Sequence, residues 1–410
     1  MESEVPKRAF SVDKVHDRHY HRVVVWGDIT LIWGGVRWGH GICIPWDPAL
    51  IVCHQDGIWT ERTTVGHIPP CLEGGIAEVV DDHLYLACGE RISTCGVPMS
   101  NDIYRLDLKS LVWSKLQPMG LRPLKSMNMV SWVQGNRIFL FGGRGSKREE
   151  GNSYPDYLDF IEWFNNEYFN NQLVYYDIET NSWNWPTMYG KIPSPRSLCG
   201  AFSVSETSIE SASGKTMSSL AFIFGGYSRL ESPSHNNDLF ILNIDSMKWR
   251  EVPKSASIGV WPQSRTRPSF IPISSKIAVL FGGESFSSRT NTDCWMLNIE
   301  LCMSEASDEE IWTRCSHHED VISVYGREGI HEPSSHRIWL VGGFRAYGDR
   351  WGPTDHIREL TFIAPPLKAL ALESAARHYD ELATQVNELP AMDKLRCAIE
   401  AKARMKYKIS

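Results

Sequence analysis

Phe222-Ile223-Phe224-Gly225-Gly226 is the stretch on which the fold turns. A short apolar run bounded by glycines reads as a buried strand, and the paired glycines give the backbone freedom for a tight turn or a close approach. The same phrase recurs along the chain. It stands as Leu31-Ile32-Trp33-Gly34-Gly35, Leu84-Tyr85-Leu86-Ala87-Cys88-Gly89 and Ile138-Phe139-Leu140-Phe141-Gly142-Gly143, then as Val279-Leu280-Phe281-Gly282-Gly283 and Ile338-Trp339-Leu340-Val341-Gly342-Gly343. In every copy but the last a tryptophan follows at a matching place: Trp59, Trp113, Trp183, Trp249 and Trp312. A further apolar run closing on Asp or Asn precedes several of them, as in Ile103-Tyr104-Arg105-Leu106-Asp107, Val174-Tyr175-Tyr176-Asp177 and Leu239-Phe240-Ile241-Leu242-Asn243.

The second glycines stand at 35, 89, 143, 226, 283 and 343, so the spacings are 54, 54, 83, 57 and 60. Each repeat therefore holds several short strands bounded by turn residues. One twisted four-stranded sheet cannot bury both of its faces, but six arranged radially bury them against each other. The pattern resembles the kelch repeat, whose period is near 50 residues. The resemblance implies an all-β fold, a six-bladed kelch β-propeller over residues 15–365. Residues 1–14 form an N-terminal segment that is a candidate closing strand, and 366–410 a short C-terminal α-helical segment. The tryptophans are expected to pack between blades, and the glycines to end the inner strands.

Two features break the period. An insertion, roughly Lys147 to Asn171, carries many aromatics, including Tyr154, Tyr157, Phe160, Trp163 and Phe164. It belongs on one face of the propeller, where loops carry function. Residues 204–218, rich in Ser, Thr and Glu, read as a disordered hairpin tip.

Composition narrows the function. The 410 residues are 42% hydrophobic and 22% charged, which is globular. A net charge of −7 supplies no basic field, so nucleic acid is not an expected partner. No apolar run approaches the roughly 20 residues of a membrane span, and the acidic start Met1-Glu2-Ser3-Glu4 shows no secretory signal. The 10 cysteines include no C-x-x-C pair. That points to a reduced protein, cytoplasmic and/or nuclear, with no metal and no cofactor. Cys315 with His317 and His318 is a Cys/His cluster that lacks a second half.

After Pro365-Pro366 the residues favour helix. Leu367, Leu370, Ala371, Ser374, Ala375 and His378 share one face, and beyond Leu389-Pro390 a second short helix aligns Met392, Leu395 and Ile399. Such a pair either packs on its own propeller or offers its face to a partner. Pro366-Leu367, Ala371 and Ala375 resemble the elongin-binding box of cullin-RING substrate receptors. Leu389-Pro390 followed by Leu395 resembles the downstream box that selects cullin-2. In this order behind six kelch repeats, the boxes resemble kelch domain-containing receptors that read protein C-termini. The resemblance implies elongin B/C and cullin-2 as partners through Leu367, Leu370, Ala371, Ala375, Leu389, Pro390 and Leu395, and C-terminal tails of other proteins as substrates.

Arginines follow the glycine pairs: Arg37, Arg91, Arg144, Arg229 and Arg345 lie within three positions, and Arg289 lies six away. Equivalent places in a radial fold form a ring, to which Arg265 and Arg267 are candidate additions. A guanidinium ring suits a carboxylate, which Arg grips bidentately. Receptors for C-terminal glycine degrons place Arg directly after the glycines, where this chain has Tyr227. Their Ser-Trp pair aligns with Thr266-Arg267, and the Trp of their insertion aligns with Phe169. The expected substrate pocket is therefore Arg144, Phe169, Tyr227, Arg229, Thr266, Arg267 and Arg345. No G-x-S-x-G, Walker or H-E-x-x-H motif occurs, so the chain is expected to be a non-catalytic receptor subunit. The other reading is a kelch scaffold for a different protein, with no ligase role.

Overall fold

The computed structural model describes residues 19–361, apart from 28, 40–41, 46–49, 54–58, 71, 92–98, 165, 212–213, 229–234, 255–259, 286–290, 292, 304–309, 316–327, 333–336, 342–343, 348–349 and 354–357. The expectations for 1–14 and for the elongin and cullin residues Leu367, Leu370, Ala371, Ala375, Leu389, Pro390 and Leu395 lie outside the described residues.

Alternating apolar strands build six antiparallel sheets in chain order. Blade 1 is His19–Trp26, Ile29–Gly39, Leu50–Cys53 and Trp59–Arg62. Blade 2 is Ile76–Val80, His83–Arg91, Met99–Asp107 and Val112–Lys115. Blade 3 is Val130–Gln134, Arg137–Phe141, Leu173–Asp177 and Ser182–Asn184. Blade 4 is Gly200–Ser211, Gly214–Phe224, Leu239–Asn243 and Lys248–Val252. Blade 5 is Ser269–Pro272, Ile277–Phe281, Cys294–Asn298 and Trp312–Cys315. Blade 6 holds Glu328–Glu332, Arg337–Val341 and Arg358–Thr361. The first strand of each blade contacts that of the next, and the first strand of blade 6 contacts that of blade 1. The ring is closed, and the molecule is a six-bladed propeller with these first strands innermost.

The core lies between blades. Trp113, Trp183, Trp249 and Trp312 sit on outer strands, all 3% exposed or less. Each packs back on the preceding blade. Trp113 meets Trp33 at 4.7 Å, Trp249 meets Phe141 at 5.2 Å and Trp312 meets Phe224 at 5.4 Å. Trp183 joins the buried cluster of Tyr85, Ala87 and Ile103 from blade 2. The expectation for these tryptophans holds.

Two sequence expectations change. In blades 3, 4 and 5 the glycine pairs end the second strand, not the innermost one, and in blades 1 and 2 the glycines lie within the second strand. Gly142 and Gly225 stand at φ +70° and +69°, and a Cβ on either would lie 2.5 Å from the Arg196 carbonyl or 2.6 Å from the Arg265 carbonyl of the next blade. The pairs are thus required by blade-to-blade approach. Residues 204–211 and 214–218 pair as antiparallel strands rather than forming a disordered tip. Their register runs through Ser208↔Met217 to Ser211↔Gly214, with an irregularity between Val204 and Thr207. Polar side chains do not prevent this, because the ladder is made of backbone bonds and Thr and Ile suit extended structure.

Candidate functional site at the propeller mouth

The face where second strands end and first strands begin carries a belt of backbone hydrogen bonds. Just before the first strands of blades 2 to 5, Gly74, Asn128, Leu198 and Arg267 take left-handed conformations, with φ of +64°, +57°, +60° and +52°. The N–H of Asn128 donates to the Gly74 carbonyl at 2.7 Å, that of Leu198 to Asn128 at 3.0 Å and that of Arg267 to Leu198 at 2.7 Å. A non-glycine residue in this region is strained, and such strain gathers at functional sites. Behind the belt a cavity of about 580 Å³ runs between the first strands, touched by Val24, Ala77, Ser131, Ala201, Ile271 and His331.

A second tier stands on the belt. The residue before each left-handed position pairs with the residue after the glycine pair: Glu73 with Glu90, Met127 with Arg144, Ser197 with Tyr227 and Thr266 with Glu284. In blade 3 the insertion extends this tier. The strands Phe160–Phe164 and Glu167–Asn170 join Arg144–Gly145 and Ser126–Met127 in a four-stranded sheet, with Phe169 in register with Arg144.

This small sheet builds an aromatic wall. Trp163 stands edge-on to Phe169 at 5.4 Å and to Tyr227 of blade 4 at 5.4 Å, and Phe169 lies 5.4 Å from Tyr227. His235 closes the far side of Tyr227 at 5.2 Å. The Arg144 guanidinium sits 6.0 Å from the Trp163 ring centre, with Nε 3.3 Å from Glu167. Phe169, at 2% exposed, supports the wall from beneath, while Trp163 and Tyr227 are half-buried and line it.

Charges of both signs converge beside the wall. Burial pushes the Glu73 carboxyl above the usual range; Arg267, Arg144 and Arg22 pull it down and Glu90 pushes it further up. Side chains from blades 1, 2, 3 and 5 therefore act on one carboxyl. Burial likewise raises Glu284, against the pull of Arg267. Burial also lowers the His235 pKa, which favours the neutral ring.

Of the six arginines that follow the glycines, Arg144 has a described side chain; those of Arg37, Arg91, Arg229, Arg289 and Arg345 lie outside the described residues. The places directly after the glycines are equivalent from blade to blade. The equivalent places hold Glu90, Arg144, Tyr227 and Glu284. Arg196 and Arg265 are structural. Arg265, fully buried, forks onto Asp293 at 2.9 and 3.0 Å and donates to the Gly282 carbonyl at 3.2 Å. Arg196 repeats this on Asp238 at 2.6 and 2.9 Å and on the Gly225 carbonyl at 3.1 Å.

Of the expected pocket, Arg144, Phe169 and Tyr227 form one cluster, and Thr266 and Arg267 stand at the mouth one blade further on. Arg229 and the Arg345 side chain lie outside the described residues. Sequence reading missed Trp163, Glu73 and Glu284. Glu73 and Glu284 carry a positional signal, since each belongs to the pairs that flank the glycine turn. For Trp163, only the hairpin register within the insertion discloses that it reaches blade 4.

Comparison with known proteins agrees with this architecture. Residues 20–210 match the KLHDC2/KLHL20/DRC7 Kelch-repeats domain. The chain is 28% identical to kelch domain-containing protein 2 of Bos taurus over 334 residues, 76% of this chain and 75% of that protein. It is 28% identical to kelch domain-containing protein 3 of Rattus norvegicus over 275 residues, 65% of this chain and 61% of that protein. It is 23% identical to kelch domain-containing protein 1 of Homo sapiens over 328 residues, 76% of this chain and 75% of that protein. The six-bladed propeller thus carries a match to the kelch-repeats domain in its first half and resembles kelch domain-containing protein 2.

Proposed function

We propose that the chain is a non-catalytic substrate receptor of a cullin-2 RING ubiquitin ligase, and that its propeller mouth holds the C-terminal tail of a substrate protein. The observation that carries this reading is Arg267, a long cationic residue held in a strained left-handed conformation at the mouth and aligned by its N–H bond to Leu198. Strain in a residue that packs no core is kept where its side chain has work at a site. Across the mouth Arg144 supplies a second guanidinium. Trp163 and Tyr227 wall the space with rigid, amphipathic rings, which suit a peptide backbone.

In this reading the terminal carboxylate docks on Arg267 with charge-assisted hydrogen bonds. Glu73 and Glu284 accept N–H groups of the peptide, and their partial burial strengthens those bonds. Specificity comes from the aromatic wall and from Glu90, which give this pocket a lining unlike a purely basic one. Residues 366–399 hold elongin B/C and cullin-2 through Leu367, Leu370, Ala371, Ala375, Leu389, Pro390 and Leu395. The support for that half is the pair of box-like motifs in order behind the propeller.

The test titrates C-terminal peptides of co-purified proteins, as free acid and as amide, against the wild type and Arg267→Ala. One charge-assisted hydrogen bond contributes about 1.5–3 kcal/mol, so each change should weaken binding by about ten- to a hundredfold. The two losses should not add if the groups touch. Equal binding of acid and amide overturns the carboxylate reading.

A further inference from the structure

Cys294 and Cys315 lie on the third and outer strands of blade 5 as direct cross-strand partners. Opposed residues of an antiparallel pair have Cα atoms about 4.5–5.5 Å apart, inside the roughly 4.4–6.8 Å span that a disulfide bridges. Both are free thiols; Cys294 is 1% exposed and Cys315 is partly exposed. The chain's other described thiols, Cys88, Cys199 and Cys302, are buried and belong to different elements. Sequence spacing does not disclose the pair, since 294 and 315 stand 21 positions apart with a short helix, Ile299–Met303, between them.

We infer that Cys294 and Cys315 form a peroxide-responsive dithiol site that closes reversibly to a disulfide between the outer two strands of blade 5. The exposure difference assigns the roles. Cys315 is the thiol a small oxidant reaches, and Cys294 is the buried partner that resolves it. The thiol-to-thiol hydrogen bond from Cys294 lowers the Cys315 pKa, with burial opposing and the Met296 N–H assisting, whereas that same bond and burial raise Cys294. A lowered thiol is the one present as thiolate and able to attack. Burial raises Cys199 and Cys302 to about 12, which keeps them protonated and inert.

The chemistry balances with hydrogen peroxide as the named oxidant. The Cys315 thiolate attacks one peroxide oxygen, the O–O bond breaks, and hydroxide leaves to be protonated as water, giving a sulfenic acid. The Cys294 sulfur then attacks the Cys315 sulfur. Its proton and the departing hydroxide leave as a second water, and the S–S bond forms. Two thiols lose two electrons and one peroxide gains them. A dithiol reductant reverses the step.

The site lies beside Asp293, which grips Arg265 at 2.9 and 3.0 Å, yet the inference is independent of any ligand at the mouth. The test treats the purified full chain with hydrogen peroxide, blocks remaining thiols with iodoacetamide in denaturant, and maps peptides by mass. The expected product is one cross-linked peptide pair holding Cys294 and Cys315, lighter by two hydrogens and restored by dithiothreitol. In Cys294→Ser, Cys315 should accumulate as a sulfenic acid trapped by dimedone. In Cys315→Ser, Cys294 should stay alkylatable. Recovery of both wild-type residues as alkylated thiols after oxidation overturns the inference. So does a cross-link that pairs either one with another cysteine.

Discussion

Replacing Asp293 with alanine is the sharpest stability experiment the fold offers. Its carboxylate accepts the fork from Arg265 at 2.9 and 3.0 Å and the Trp295 indole N–H at 2.7 Å. The Arg265 side chain is 0% exposed and Asp293 is 13% exposed. In Asp293→Ala the guanidinium keeps its bonds to the Gln263 and Gly282 carbonyls but loses its counter-charge with no access to water. Removing one partner of a buried, hydrogen-bonded pair costs about 3–5 kcal/mol. A domain of this size loses roughly 2 °C of melting temperature per kcal/mol, so Tm should fall by roughly 6 °C or more. The comparison is the exposed pair of Lys191 with Glu251, where Lys191→Ala should leave Tm unchanged within error. A double variant, Arg265→Met with Asp293→Leu, should recover much of the loss, because apolar substitutes carry no desolvation penalty. Differential scanning calorimetry on the four proteins decides it. If Asp293→Ala melts with the wild type, or if the double variant is worse than the single, the staple is not an electrostatic one.

Glu73→Gln tests the mouth through pH. Burial raises the folded carboxyl above its ordinary value of 4.5, so the folded chain binds that proton more tightly than the unfolded one. The carboxyl's cost to stability is absent below that value and grows as pH rises through the folded one. Glu73→Gln should therefore denature at higher guanidinium than the wild type at pH 8 and together with it at pH 4; the reverse order would contradict the burial. Trp163→Ala removes an edge-on contact with Tyr227, and aromatic contacts of this kind contribute about 0.5–1.5 kcal/mol. Peptide affinity, read by isothermal titration, should drop about two- to tenfold with little change in Tm. Leu367→Asp combined with Ala371→Asp should abolish elongin co-purification without lowering the propeller's Tm, since a charge in an apolar interface costs several kcal/mol. Retained elongin would remove the box from the account.

Six glycine-ended apolar runs, five of them with a tryptophan at the matching place downstream, are legible without coordinates, because both signals are local. Alternation marks a strand, and a radial repeat demands a small residue wherever one blade presses on the next. Hence the blade count, the all-β class and the inter-blade tryptophans were readable from residues alone. Even the exception is local in origin: Cys88 replaces the first glycine of the second repeat and is held at φ +61°. What the tertiary structure decided is which side chains meet. Sequence position ranks the residues directly after the glycines as equivalents, but the tier they form holds Glu90, Arg144, Tyr227 and Glu284, a mixture of charges and an aromatic ring. Arg265 and Arg267 differ by two positions and share a charge, yet one is sealed beneath the glycine turn by Asp293 and the other is lifted to the mouth by its left-handed backbone. Trp163 reaches Tyr227 only because the insertion folds into its own sheet across the blade boundary. The repeat is written in local preferences, whereas the site is assembled from blades far apart in the chain and exists only once the ring has closed.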